Sequence, residues 1–163
     1  MIKGRAWVFG DHINTDLIIP GRYLDDYSAK NLAAHVMEDA DPEFPRKVAR
    51  GDILVAGRNF GCGSSREQAP LALKHAGVSA VVAGSFSRIF YRNSINVGLP
   101  VIVCPEAHSK IRSGEAIEID MHGGSVLLPS GERLTFSPLP DFLIRILDEG
   151  GLVPYTRRRL QGT

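Results

Sequence analysis

Residues 52–77 read DILVAGRNFGCGSSREQAPLALKHAG, and this stretch decides the fold. It opens with an apolar run, residues 52–56, that is typical of a buried strand. A glycine-rich segment follows, and residues 67–75 then show a helical pattern that Gly77 is placed to end. Strand, loop and helix in this order form the first half of a β-α-β unit.

The next segment repeats this order. Residues 78–83 are a β-branched run, residues 87–96 are a helical pattern ended by Gly98, and residues 99–103 are a further apolar run. Alternating strands and helices predict an α/β fold, in which a parallel core sheet is joined by right-handed crossover helices.

The two ends of the chain add to this core. Residues 3–9 alternate as a short strand, and residues 10–16 form a polar, turn-forming loop. Three short strands joined as antiparallel hairpins and an amphipathic helix are predicted downstream, at residues 116–120, 125–128, 133–136 and 140–149. The run of three arginines at residues 157–159 is expected to be a solvated tail.

Length and composition limit the class of protein. The 163 residues suit one domain, residues 1–163, of which 44% are hydrophobic and 23% charged. The formal net charge of +1 gives no support for nucleic-acid binding, and no apolar segment is long enough to cross a membrane. The N-terminal residues lack the apolar core of a signal peptide, so we expect a cytoplasmic protein.

Candidate metal ligands are few and scattered. Cys62 and Cys104 are the two cysteines, and the five histidines stand singly along the chain. A structural zinc or an iron–sulfur cluster needs three or four ligands at suitable spacing. We therefore expect this chain to bind no metal or cofactor itself, and we expect any metal that it works with to be held by another chain.

The glycine-rich segment carries the candidate site. Its glycines permit positive φ angles and a close approach of the backbone to a ligand. Ser64, Ser65 and Arg66 place two hydroxyls and a planar guanidinium just before a predicted helix, where backbone N–H groups attract anions. These residues predict a site for a carboxylate or a phosphate.

Two more common roles for the serines compete with a ligand site. In the first, Ser64 or Ser65 simply caps the helix, with Glu67 or Gln68 reaching back. In the second, a serine is the nucleophile of a hydrolase, which stands in a Gly-x-Ser-x-Gly turn near a histidine and an acid, but no glycine follows the serines here. A serine that acts as a base needs only N–H groups and a nearby cation to stabilise its alkoxide. Abstraction of a proton from the carbon next to a carboxylate therefore fits these residues better than hydrolysis does. Such a reaction also requires a Lewis acid from elsewhere, which helps the hydroxyl on the adjacent carbon to leave.

Three motifs together carry a resemblance to a known family. They read GDHINTDLIIPGRY at residues 10–23, GRNFGCGSSRE at residues 57–67 and SFSRIFYRNSINVGLP at residues 85–100. In order and spacing they resemble the aconitase family, and within it the small subunits of the 3-isopropylmalate dehydratases, over nearly the whole chain. The resemblance implies a single swivelling β/β/α domain that docks on a large subunit, on which three cysteines hold a [4Fe-4S] cluster.

The resemblance also implies a reaction and roles for individual residues. The reaction moves a hydroxyl between adjacent carbons of a malate-type dicarboxylate, by dehydration and rehydration, in leucine biosynthesis. Ser64 matches the family's base serine, and Asp16 is expected to take part in catalysis. The residues expected to bind substrate are Ser65, Arg66, Thr15 and Arg22. That Thr15 and Asp16 only close an Asx turn remains the alternative.

The segment after the first motif is implied to select the substrate, and it consists of Tyr23, Leu24, Asp25, Asp26, Tyr27 and Ser28. It contains no cation, so an apolar substrate branch against Leu24 is the simpler interpretation. Asp25 and Asp26 are expected to point to solvent, because they would otherwise repel a dianionic substrate. If they do not, the substrate is a different malate, such as a methylmalate or a dimethylmalate. Homoaconitase is a further alternative within the family, in which an arginine in this segment would favour the longer carboxylate side chain. A stand-alone module that binds an anionic metabolite is the alternative outside this family.

Polar residues on the second predicted crossover helix have two candidate roles. Arg88, Arg92 and Asn93 lie within residues 87–96. We expect them to form salt bridges and helix-end hydrogen bonds within the chain. An interface with the large subunit is the alternative.

Overall fold

The computed structural model describes residues 1–162, which form one seven-stranded mixed sheet flanked by helices. The strands are β1 (Ile2–Val8), β2 (Ile53–Ala56), β3 (Ala80–Ala83), β4 (Val101–Val103), β5 (Ala116–Asp120), β6 (Ser125–Leu127) and β7 (Arg133–Thr135). Their order across the sheet is β4-β3-β2-β1-β5-β6-β7. As predicted, β2 to β4 run parallel and β5 to β7 pair antiparallel. β1 also runs parallel to β2, which the sequence did not specify, and it pairs antiparallel with β5. Thr163, the last residue of the predicted domain, lies outside the described residues.

Helices connect the parallel strands and cover the sheet. They are α1 (Thr15–Ile18), α2 (Ala29–His35), α3 (Phe44–Lys47), α4 (Gln68–His75), α5 (Arg88–Val97), α6 (Ala107–Lys110), α7 (Asp141–Asp148) and α8 (Leu152–Gln161), with a 3-10 turn at Gly21–Tyr23. α4 joins β2 to β3 and α5 joins β3 to β4, which confirms both crossover helices. Within residues 1–162, no helix is long and apolar enough to cross a membrane.

Side chains alternate along β2 between two cores. Leu54 and Ala56 belong to the first core, which lies against α2, α4 and α5. Ile53 and Val55 belong to the second core, which includes residues of α6 and of the antiparallel strands. All four side chains are fully buried, and burial on both faces explains the continuous apolar run in the sequence.

β1 joins the parallel half of the sheet to the antiparallel half, because its two ends pair with different strands. Residues 2–5 pair antiparallel with β5, and residues 6–8 pair parallel with β2. The sheet curls along this line, so that Leu134 of β7 lies in the same core as Val82 of β3. The antiparallel strands therefore cover one face of the parallel sheet.

Two segments differ from their predicted structure. Residues 15–18 form α1 instead of a loop, because the Asn14 side chain accepts a hydrogen bond from Leu17 N (2.8 Å) and caps the helix. The arginine run is exposed to solvent, as expected, but it lies in the helix α8, which was not predicted. Tyr155 of α8 packs against the first core, and Arg158 pairs with Glu149 at 3.0 Å.

Candidate functional site

The candidate site lies where three loops leave the carboxyl ends of β1, β2 and β3, at residues 9–14, 57–67 and 84–87. Gly61 N donates to Ile13 O (2.7 Å), which joins the first loop to the second. Phe60 N donates to Ser85 O (3.0 Å), which joins the second loop to the third. Ligands of open parallel sheets commonly bind at this end of the strands. We call residues 57–67 the glycine loop.

Two glycines of this loop adopt the positive φ angles predicted for them. Gly61 has φ +81° and Gly63 has φ +98°, whereas Gly57 does not adopt a positive φ. A Cβ atom at Gly61 would overlap the ring of Phe90, so the loop can pack on α5 only because residue 61 has no side chain. At Gly57 a Cβ atom would instead overlap the Asp11 carboxylate.

Ser64 and Ser65 are exposed in the glycine loop, ahead of α4. Glu67 occupies the N-cap position of α4, and no side chain caps this helix end. The interpretation of the serines as helix caps is therefore wrong. Neither serine hydroxyl has a hydrogen-bond partner among residues 1–162, so both are open to a ligand.

Arg66 is fixed in place by one of its terminal nitrogens. Nη1 donates to Asp16 Oδ1 (3.1 Å) and to Ile19 O (3.1 Å), and the same carboxylate oxygen accepts from Gly21 N (3.0 Å). The hydrogen bonds from Arg66 and from Gly21 N hold the pKa of Asp16 below its usual range, so Asp16 is ionised at neutral pH. Nη2 makes no hydrogen bond within the described chain, which leaves a donor of the guanidinium for a carboxylate ligand.

Thr15 lies beneath the glycine loop. It is 2% exposed, and its hydroxyl oxygen is buried without a hydrogen-bond partner among the described residues. A Cβ atom at Gly63 would lie 3.4 Å from this oxygen. The Asx-turn interpretation is wrong, because Asn14 makes the cap and Asp16 binds Arg66. Direct substrate binding by Thr15 stays a prediction, and it requires the loop above the hydroxyl to move.

Arg22 is engaged by two carboxylates on the segment after α2. It donates to both oxygens of Asp39 (3.1 and 2.7 Å) and to Glu38 Oε1 (3.1 Å). Its guanidinium carbon lies 4.8 Å from the centroid of the Tyr23 ring. Arg22 is thus placed beside the predicted substrate-selecting segment, and its binding of substrate stays a prediction.

Glu38 holds the start of that segment, although no sequence motif marks this residue. The Tyr23 hydroxyl donates to Oε1 (2.6 Å), and His35 Nδ1 lies 2.9 Å from Oε2. The ring of His35 also stacks on that of Tyr23, with centroids 3.6 Å apart. Partial burial acts to raise the pKa of Glu38, but hydrogen bonds from Tyr23 and His35 outweigh it and lower the pKa.

The remaining residues of the segment face in different directions. Leu24 packs against the first core, and its role as the wall for a substrate branch stays a prediction. Asp25 and Asp26 are exposed, as expected. Ser28 caps α2, and Tyr27 is 64% exposed, which makes it the aromatic side chain most open to a ligand in this segment.

Replacing Glu38 by glutamine is expected to loosen this segment. The amide still accepts a hydrogen bond from Tyr23 but loses its attraction for Arg22 and His35. Amide hydrogen exchange of residues 23–28 should rise about fivefold, which corresponds to about 1 kcal/mol of local stability. Glu43→Gln, which removes the exposed pair of Glu43 with Lys47 (3.2 Å), is the control. Equal exchange in both variants would show that Glu38 does not hold the segment.

Side chains that could bind a metal stay scattered among the described residues. No three His, Cys, Asp or Glu side chains of the described chain come together in a group that could hold a metal ion.

The arginines of α5 have no acidic partner in the described part of the chain. Arg88 and Arg92 are exposed and form no ion pair within residues 1–162, so the predicted salt bridges are wrong. Ser87 caps α5 instead, accepting from Phe90 N at 3.2 Å.

Comparison with known proteins assigns the family. Residues 11–107 match the family model of the aconitase C-terminal domain. The chain belongs to the aconitase family. This family member is 59% identical to 3-isopropylmalate dehydratase small subunit 1 of Methanopyrus kandleri, over 97% of the chain and 94% of the relative. Its fold matches the crystal structure of 3-isopropylmalate dehydratase from Methanocaldococcus jannaschii with a TM-score of 0.93 and 46% identity, covering 98% of this chain and 95% of that one.

Other relatives of this aconitase-family subunit carry different substrate names. It is 56% identical to the methanogen homoaconitase small subunit of Methanothermobacter thermautotrophicus, over 94% of the chain and 89% of the relative. It is 52% identical to the isopropylmalate/citramalate isomerase small subunit of Methanocaldococcus jannaschii, over 98% and 96%. The chain is therefore a small subunit of an aconitase-family hydro-lyase, the predicted swivel fold is confirmed, and overall identity does not choose among these substrates.

Proposed function

We propose that this chain is the small subunit of a 3-isopropylmalate dehydratase, which interconverts 2-isopropylmalate and 3-isopropylmalate by dehydration and rehydration in leucine biosynthesis. A half-site of this kind is best supported by the pairing of Arg66 with Asp16 of α1. Arg66 lies on the same loop as two exposed serines, whose hydroxyls have no partner among the described residues. The names of the M. kandleri relative and the M. jannaschii structure favour the isopropylmalate pair as substrates.

In this proposal Arg66 and Ser65 bind a substrate carboxylate. Arg66 offers Nη2 while Nη1 remains on Asp16, so the guanidinium does not have to reorganise when the substrate arrives. The Ser65 hydroxyl adds a second donor from the same loop. Asp16 acts by orienting Arg66, and because it is ionised it also balances the guanidinium charge before substrate binds.

Ser64 is the proposed base. It removes the proton from the carbon next to the bound carboxylate and returns a proton during rehydration. Backbone N–H groups of the glycine loop and the Arg66 guanidinium stabilise the serine alkoxide. A [4Fe-4S] cluster, which we expect on the large subunit, would supply the Lewis acid that helps the substrate hydroxyl to leave.

The proposal requires a second chain. The exposed serines need a partner that excludes water from the site, and we expect a large subunit in the cytoplasm, with the two chains forming at least a heterodimer. Turnover should appear only when the purified chain is mixed with a large subunit encoded in the same genome. Turnover by the isolated chain would refute this proposal, and so would an inactive complex that contains an intact cluster.

A related malate-type acid is the second candidate substrate, since relatives at 56% and 52% identity are named for homoaconitase and for an isopropylmalate/citramalate isomerase. A panel of these acids on the assembled pair separates the candidates by their kcat/KM values. The isopropylmalates should give the highest value. A higher kcat/KM for a homoaconitase substrate or for citramalate would identify that acid as the substrate, and the proposed hydro-lyase reaction would still hold.

Arg66→Lys tests the proposed carboxylate site. Lysine keeps the charge but loses the planar fork. Its N–H donors share one nitrogen, so an ammonium held by Asp16 and Ile19 O cannot also place a donor where Nη2 lies. The KM of the assembled enzyme should rise about 10- to 100-fold, as expected for one lost charge-assisted hydrogen bond. Arg58→Lys is the control on the same loop, because Arg58 is 76% exposed and pairs only loosely with Asp11 at 3.5 Å. A similar KM for both variants would place the carboxylate elsewhere.

A further inference from the structure

An open apolar groove lies between α5, α7 and the edge strand β4. It encloses about 620 Å³, and its walls include Ile95 of α5, Phe142 of α7 and Val103 of β4. Val103 and Phe142 are 45% and 52% exposed, so the groove presents apolar side chains to solvent. A second hollow of about 820 Å³ continues from it and shares Tyr91 and Val103. We call the first hollow the α5–α7 groove.

The charge of this groove is not balanced within the chain. Arg88 and Arg92, four residues apart on α5, both line it and are exposed. Like charges at this spacing on a helix repel each other. Neither arginine forms an ion pair within residues 1–162, and no Asp or Glu is among the residues that line either hollow. The groove therefore complements a surface that combines apolar side chains with carboxylates.

The groove begins next to the candidate site. Ser85 and Phe86 line its end, and they belong to the third of the three paired loops. Ser85 Oγ accepts a hydrogen bond from Asn59 N (2.7 Å), and Ser85 O accepts one from Phe60 N (3.0 Å), both in the glycine loop. A protein that covers the glycine loop can therefore continue into the groove without crossing another element.

We propose that the α5–α7 groove is a docking surface for the large subunit, which inserts an apolar segment flanked by carboxylates between Arg88 and Arg92. This inference rests on the proposed function, which supplies a partner that must cover the neighbouring site. A second copy of this chain fits the groove poorly. In a two-fold symmetric dimer centred here, four arginines would be buried together, and the groove of neither copy would supply a carboxylate.

The test is a binding measurement with the full-length chain and its large subunit. Arg92→Glu reverses one charge in the groove, and Arg50→Glu reverses one at an exposed arginine near the amino ends of the parallel strands, away from the site. Arg92→Glu should raise the Kd for the large subunit at least about tenfold, with a weaker effect at high salt, whereas Arg50→Glu should leave it within about twofold. Phe142→Ser should also weaken binding, and Val153→Ser, on exposed α8, should not. Circular dichroism confirms that each variant is folded.

An equal Kd for Arg92→Glu and Arg50→Glu would overturn the docking surface while leaving the proposed function intact, because assembly is measured apart from turnover. If the chain self-associates and Arg92→Glu abolishes this self-association, the occupant of the groove is a second copy of the chain and not the large subunit. If the wild-type chain binds no large subunit, the proposed function fails and the docking surface fails with it.

Discussion

Replacing Ser64 by alanine is expected to lower the kcat of the assembled enzyme by about 10²- to 10⁴-fold, the usual contribution of a general base. The hydroxyl is exposed and has no hydrogen-bond partner among residues 1–162, so its loss should not disturb the glycine loop. Arg66 and Asp16 keep their mutual contact in the variant, and KM should therefore change by less than about threefold. Steady-state kinetics with both isopropylmalates give the two constants separately.

The control for this substitution is Ser130→Ala. Ser130 is also exposed, but it lies in the turn between β6 and β7, where its hydroxyl accepts from Glu132 N (3.3 Å). Its variant should keep the wild-type kcat. If Ser64→Ala also keeps it, Ser64 is not the base, and the loop serves only to bind an anionic metabolite.

Replacing Gly61 by alanine is expected to destabilise the fold by about 3–5 kcal/mol. Part of this cost is backbone strain, because Gly61 has φ +81°, where other residues lose about 1–2 kcal/mol. The larger part is steric, since the new Cβ atom would overlap the ring of Phe90. That ring cannot easily move away, because it is 2% exposed and packs edge-on against Phe60 with centroids 5.1 Å apart.

Urea denaturation followed by circular dichroism measures this effect. Gly131→Ala is the matched control, because Gly131 has φ +93° and a Cβ atom there would meet nothing within 4 Å. It should lose about 1 kcal/mol from the backbone strain alone. Equal losses in the two variants would show that Phe90 moves aside and that the glycine loop is less tightly packed on α5. Since domains have only about 5–15 kcal/mol of stability, the expected loss at Gly61 also threatens assembly.

The parallel part of the fold was predictable because its signals are local. The strands are continuous apolar runs, and α5 begins at a capping serine, Ser87, and ends at Gly98 with φ +85°. α8 was missed because its arginine-rich sequence has no apolar stripe, and it depends on contacts with α5 and α7. The cap at Asn14 was readable in principle, but a four-residue helix gives little periodicity to support it.

The candidate site, too, was only partly predictable from the sequence. Ser64, Ser65 and Arg66 follow one another in the chain, so their chemistry was evident before the fold was known. The contact of Arg66 with Asp16 joins residues 50 positions apart, and that of Glu38 with Tyr23 joins residues 15 positions apart. No local pattern specifies either pair. They result from the order of the strands and from the return of the chain after α2.

The glycine loop and the segment that begins at Tyr23 are anchored by different contacts, and this has an evolutionary consequence. The glycine loop is fixed by backbone hydrogen bonds to its neighbouring loops, whereas the segment that begins at Tyr23 is fixed by the side chains of Glu38 and Asn31. Under the proposed function, substitutions in the second anchor would reshape the substrate pocket while the serine and arginine geometry stays intact. We infer that a duplicated gene can acquire a new acid as substrate through changes in this segment alone. Such a route is consistent with relatives that share half or more of their residues and yet carry names for different acids.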